Sequence, residues 1–211
     1  MRKFFIIPLL LGATTLFAGT VVYDNGAPNQ QSGNEMTEWV QSEDFTLAQT
    51  TTITGVNFWT IEFGSGYAGS IWYSIYTDNG GQPSVATPVA GDFSQAADLT
   101  RNATGNIVSD IFTEYAFSFN IQPFVALAGQ TYWLALHNGA LDNTDRAEVY
   151  WETTNPNATA TGHEFDLTAD GGSWFDNGDQ HAFQLTVPEP ATLALFGAGL
   201  IGLGLMRRRQ K

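Results

Sequence analysis

Cysteine is absent from all 211 residues. That excludes disulfide bridges, thiolate catalysis and any metal held by sulfur, so stability has to come from an ordinary core. Basic residues are nearly as scarce. Six of the eight lysines and arginines sit at the extremities, Arg2-Lys3 and the run from Arg207 to Lys211. Between them the chain has no lysine, and only Arg101 and Arg146 face twenty of its 21 carboxylates, a body charge of −18. A surface of that sign repels phosphate backbones and excludes nucleic acid as a partner. The missing lysine also excludes a phosphate-binding Walker loop. Gly64-Ser65-Gly66 reads as a glycine–serine turn and not a nucleophile elbow. His163-Glu164-Phe165-Asp166 is not the H-E-x-x-H zinc motif, and His137, His163 and His181 fall in three separate segments. Each histidine is read as structural or exposed. No interior stretch sustains a 3.6-residue period, which argues against helices.

The period that is present is that of strands. Ile71, Tyr73 and Ile75 alternate with Trp72, Ser74 and Tyr76; Tyr115, Phe117 and Phe119 alternate with Ala116, Ser118 and Asn120. Tyr132, Leu134 and Leu136 repeat the pattern, as do Val149 with Trp151 and Phe183 with Leu185 and Val187. Further strands are expected at residues 20–23, 39–47, 51–63 and 107–113. The D-N-G turn signal occurs three times, beginning at Asp24, Asp78 and Asp176. Residues 102–106 and 155–162 read as exposed loops. An aromatic content of 13% argues for a folded domain over a disordered spacer. The expected fold is all-β, an antiparallel jelly-roll-like β-sandwich of about eight to ten strands over residues 19–187.

The two ends differ from this body. Arg2-Lys3 followed by Phe4 to Leu11 has the form of a signal peptide, taken as residues 1–18. Leu16 and Pro8 depart from the usual pattern, and a retained N-terminal anchor is the alternative reading. Pro188-Glu189-Pro190 then breaks the chain before sixteen residues without charge, 191–206, and an arginine cluster. As a helix these would span about 24 Å, near the thickness of a hydrocarbon core, with the arginines on the cytoplasmic side. Ala194, Ala198 and Gly202 would form a stripe of small residues along it.

This order of Pro-Glu-Pro, glycine-rich apolar span and terminal arginines resembles the PEP-CTERM sorting tail of exported bacterial proteins, which is also labelled an ice-binding protein C-terminal domain. The label says nothing of ice here: the Thr50 to Thr54 run is a single one and reads as a strand start. The resemblance implies export by the Sec machinery and a precursor held in the membrane by the C-terminal helix. It further implies recognition of Pro188, Glu189 and Pro190 by an exosortase, a membrane-embedded processing enzyme, and delivery to the cell surface or beyond. The segments D-F-T-L from Asp44, I-T-G-V-N-F-W from Ile53 and A-G-Q-T-Y-W-L-A-L-H from Ala128 resemble exported β-sandwich domains that carry this tail.

Within the body, three chemistries compete. Aromatic residues on both faces of one strand suggest an exposed platform for sugar rings, with Trp72, Tyr76, Trp133, Tyr150 and the loop residue Trp174 as candidates; the alternative is ordinary core. Oxygen ligands cluster at Asp142 to Asp145, Asp166 to Asp170 and Asp176 to Asp179, where calcium is the cofactor to consider, although tight turns require the same residues. No other cofactor or metal is implied. A glycoside hydrolase needs two carboxyls about 5–9.5 Å apart. Glu148 and Glu152 on one strand lie about 13 Å apart at about 3.3 Å per residue, so only a pair across strands would serve. The expected role is non-enzymatic: a surface or extracellular-matrix protein of structural or adhesive function, with extracellular polysaccharide as partner.

Overall fold

The computed structural model describes residues 19–84, 89–93, 99–155, 161–167 and 172–188. They form thirteen strands and, among the described residues, no helix. In chain order these are β1 (Thr20–Asp24), β2 (Pro28–Glu35), β3 (Trp39–Thr46), β4 (Thr51–Glu62), β5 (Ile71–Thr77), β6 (Ala90–Phe93) and β7 (Thr100–Val108). Then come β8 (Phe112–Ala126), β9 (Thr131–Asn138), β10 (Val149–Thr154), β11 (His163–Asp166), β12 (Trp174–Asp176) and β13 (Phe183–Val187).

Every pairing is antiparallel. One sheet is organised on β4, whose twelve residues carry β8 along one edge and β13 and β10 end to end along the other. Strands β7, β1 and β2 form its margins. The second sheet runs β12-β11-β3-β9-β5-β6. Four pairs nest within one another along the chain, β2–β10, β3–β9, β4–β8 and β5–β6, and they alternate between the two sheets.

Strand alternation explains why the sheets face each other. Phe58, Phe117, Phe119, Trp151 and Leu185 from the first sheet share one buried cluster with Phe45, Tyr73, Ile75, Leu134 and Leu136 from the second. Tyr73 and Phe119 meet across the gap with ring centroids 5.5 Å apart. Phe58 stacks on Phe117 at 4.7 Å and meets Trp151 edge-on at 6.2 Å. Such rings bury large apolar areas and supply the core that a chain without disulfides requires.

One part of the interior is polar. Glu43 on β3 and His181 just before β13 are fully buried, with the ring Nδ1 3.0 Å from Glu43 Oε2. The same oxygen accepts the His181 amide at 2.7 Å, and Thr161 Oγ1 donates to Glu43 Oε1 at 2.6 Å. His181 Nε2 lies 3.1 Å from Asn34 Oδ1, and its ring packs on Trp151 at 4.6 Å.

Several expectations change. The strands number thirteen because short polar segments such as β2 (PNQQSGNE) pair through their backbone, which no hydrophobic period reveals. Residues 107–113 are not one strand. Ser109 and Asp110 take φ of 50° and 64°, the left-handed pair of a tight hairpin turn between β7 and β8. Residues 102–106 are not a loop but the exposed part of β7, held to β8 across a bulge. Of the loop at 155–162, residues 156–160 lie outside the described residues, as do the signal peptide at 1–18 and the span at 191–206. The D-N-G segments do turn the chain: Asp24 and Asp176 each accept the amide two residues on from a glycine with positive φ.

Candidate functional site

The aromatic platform has to be corrected residue by residue. Trp72, Trp133 and Trp174 are 9%, 2% and 7% exposed, too little to offer a flat face to a sugar. Trp72 and Trp174 join Val40 and Ala135 in a second apolar cluster on the outer face of the β3–β9–β5 sheet, against which half-buried Tyr76, Phe165, Leu141 and Leu167 pack. Trp174 is not in a loop but opens β12, and lies 5.8 Å from Tyr76 and 5.3 Å from Phe165. His163 meets Trp133 edge-on at 4.9 Å, and the Trp133 indole donates to Asp78 Oδ1 at 2.9 Å. The β11–β12 hairpin supplies most of this cover, and its two short strands were not legible as strands.

Tyr150 stands apart from that cluster. On β10 it is paired with Glu35 of β2 and Ile61 of β4, and it faces a groove of about 260 Å³ between the two sheets. Gly33, Asn34 and Glu35 on β2, Glu38, Trp39 and Gln41 around the start of β3, Arg146, Tyr150 and Glu164 line it. Gly33 is required by the backbone: a β-carbon there would sit 2.8 Å from the Trp151 carbonyl oxygen. Trp39 is half-buried at the mouth and was missed as a platform residue, because its strand alternation resembles that of any core position.

The groove's polar groups are held in place. Glu35 Oε2 accepts the amides of Thr37 and Glu38 at 2.9 and 2.7 Å, and its Oε1 accepts Ala147 N at 3.2 Å, so this carboxylate shapes the β2–β3 corner. Arg146 donates to Glu148 at 3.0 Å and to the Tyr150 hydroxyl at 2.7 Å. Tyr150 in turn donates to Glu148 Oε2. Those two bonds hold the Glu148 carboxyl below its usual range, with Tyr150 the larger influence. Burial raises the Glu164 carboxyl, while Gln41, donating to it at 3.3 Å, works the other way. Beyond Tyr150 the aromatic surface continues, since its ring is 5.6 Å from Phe112, which is 6.1 Å from the half-exposed Phe63.

The oxygen-rich loops act as turns. Asn143 donates its amide to Ala140, and Asp142 and Asp145 are exposed. Asp176 and Asn177 accept the amides of Gly178 and Asp179, and Asn177 also donates to Gln41. Asp166 is in β11 opposite Trp39, and Asp170 lies outside the described residues. Among the described residues no three His, Asp or Glu side chains converge as a metal site. His137 is buried, its ring nitrogens 2.6 and 3.1 Å from the carbonyls of Thr37 and Gly139. Glu152 does not pair with Glu148. It is fully buried beside Glu114 of β8, a carboxyl pair across strands that residue spacing alone does not reveal.

Of the sorting residues, Pro188 is exposed directly after β13, and Glu189 and Pro190 lie outside the described residues. Thr20 is paired with Val187, so the chain enters and leaves the sandwich side by side. No curated protein and no solved structure matches the chain. Residues 186–209 do match the PEP-CTERM protein-sorting motif. Pro-Glu-Pro, an apolar span and terminal arginines at the end of a folded body are thus what they resemble: the chain carries a PEP-CTERM sorting motif, which implies export as a membrane-anchored precursor and sorting by an exosortase.

Proposed function

We propose that the sorted body is a non-enzymatic jelly-roll module of the cell surface or extracellular matrix, structural or adhesive in role, that holds polysaccharide in the groove between Trp39 and Tyr150. The nested pairs β2–β10, β3–β9, β4–β8 and β5–β6 support the jelly-roll reading, since they are the strand order of a rolled-up hairpin. Export through the Sec route follows from the N-terminal segment. The single observation that carries the ligand is the groove itself. It is concave, of a size for one or two sugar units, and flanked by two rings whose neighbours extend the aromatic surface.

Its position supports display. From Gly55, paired with Thr186 near the exit to the tail, to Ile61, paired with Tyr150, β4 advances six residues, about 20 Å. The groove therefore lies toward the pole away from both termini. The charge selects among glycans: a body with two arginines and no lysine repels uronate and sulfate polymers and suits neutral or amine-bearing ones. A hydrolase reading finds less support, because Glu148 is tied to Arg146 and Tyr150, and the neighbouring Glu114 and Glu152 are buried away from solvent.

Affinity electrophoresis of the body in gels containing neutral, amine-bearing and uronate polysaccharides tests this. Binding to the first two classes is expected. Trp39→Ala and Tyr150→Ala should each weaken it about tenfold, or about 1.4 kcal/mol, while Trp72→Phe, inside the covered cluster, leaves it unchanged. Equal mobility in every gel would retire the carbohydrate and leave a structural role.

A further inference from the structure

Glu114 and Glu152 belong to strands on opposite sides of β4, where Ile61 is paired with Glu114 on one edge and with Tyr150 on the other. Both are buried, at 2% and 0% exposure. One oxygen of each is satisfied: Glu152 Oε1 accepts the backbone amide of Gln30 on β2 at 2.8 Å, and Glu114 Oε1 accepts Asn106 Nδ2 of β7 at 3.1 Å. The remaining two, Glu114 Oε2 and Glu152 Oε2, have no donor. Two ionised carboxylates placed this way would repel each other with their charge unscreened by water. A single proton shared between them removes the conflict. β8 contributes the opposing Glu114; from β7 comes Asn106, from β2 the Gln30 amide, from β4 Trp59 and Ile61, and no cation acts on Glu152.

We propose that Glu114 and Glu152 form a proton-operated clamp that holds β2 against its sheet and so controls the shape of the groove. The connection is short. Gln30 is in the same strand as Gly33, Asn34 and Glu35, which line the groove, and Gly33 is paired with Glu152 itself. Gln30 sits at φ 57°, and the β2–β10 register shifts just beyond Glu152, so this stretch of β2 is held by few regular ladder bonds. With the shared proton in place, Glu152 anchors Gln30. When it is lost, the two charges separate and the anchor moves with them.

Burial, then the Glu114 charge, raises the Glu152 carboxyl from 4.5 to about 8. The direction of the pH effect follows. Below about pH 4.5 folded and unfolded chains both carry the proton. Between there and about pH 8 the unfolded chain releases it and the folded chain keeps it, so stability falls as pH rises, and this contribution is constant above that window.

The test uses Glu152→Gln and Glu114→Gln, in which an amide N–H replaces the shared proton. In thermal melts of the whole body from about pH 5 to about pH 9, the wild type should lose melting temperature more steeply than either variant. The protection factors of the amides at 30–34, taken against the base-catalysed rate of an unfolded amide, should fall with pH in the wild type and stay level in Glu152→Gln. A direct reading needs no variant: the infrared band of a protonated carboxyl, present in the wild type at about pH 6, should vanish by about pH 9. Parallel melting curves with pH-independent protection factors at 30–34, or no protonated band at about pH 6, would overturn the clamp. Its effect on the groove rests on the carbohydrate reading, and glycan binding should weaken at alkaline pH in the wild type only. A protein that binds no glycan at any pH removes that reading, while melting and exchange still decide the clamp.

Discussion

Glu43→Ala is expected to lower the stability of the body by about 3–5 kcal/mol, the usual cost of breaking a buried pair by removing one partner. The carboxylate has no route to water, and every donor it satisfies is buried or half-buried with it. Alanine would leave the His181 amide and the His181 ring without their acceptor, and the Thr161 hydroxyl would keep only Asp44 Oδ1, at 2.7 Å. It would also leave a hole between β3 and the segment leading into β13. Asn34 Oδ1 touches the far side of the His181 ring, so β2 loses alignment as well. For a domain of this size the melting temperature should fall by about 6–20 °C, and the urea midpoint should move down with an unchanged slope. Glu43→Gln, which keeps shape and one acceptor, should cost less than half as much. A loss under about 1 kcal/mol for the alanine variant would mean that water reaches this network.

The contrast between Glu43 and Phe58 shows what the sequence discloses. Phe58, Phe117 and Phe119 announce themselves by alternation, and the strands they belong to lie where that period puts them. Period 2 reports which residues share a face, and that suffices for two sheets around one core. It does not report what lies over the other face. Trp72 and Trp133 occupy strand positions that look solvent-facing, and only the later β11–β12 hairpin, brought over by pairing with β3, makes them core. Glu152, next to core Trp151, looks like a surface carboxylate by alternation, while Glu43 shares the inward face with Phe45, and partners 38 and 138 residues away are what allow both to be buried. Trp39 was invisible as a groove residue for the same reason. A groove belongs to two sheets at once, and no local pattern encodes their meeting. The tail is the opposite case, because an apolar span between prolines and arginines acts through local chemistry and is legible without a fold.

Glu189→Ala, and more severely the replacement of Pro188, Glu189 and Pro190 together by alanine, is expected to abolish processing. The released form should disappear and an uncut precursor should accumulate with the membrane. The fold limits where the cut can fall. Phe183 and Leu185 are core residues, Thr186 is buried, and β13 is paired on both edges, by β1 from Thr20 to Asp24 and by β4 from Gly55 to Phe58. A processing enzyme needs an extended, accessible segment, which this strand does not offer without unfolding the sheet. Exposed Pro188 is the first residue free of that pairing, so the mature C-terminus should lie at or beyond Val187. Two truncations separate folding from sorting. A stop codon after Pro188 keeps β13 whole and should give a folded, soluble body released without any processing. A stop before Phe183 removes two core side chains and a strand from the centre of the sheet, and should give a protein that does not fold. Intact mass spectrometry of membrane and extracellular fractions reads all four outcomes. A released wild-type body that ended inside β13, or an alanine tail variant released at the wild-type mass, would refute sorting at this motif.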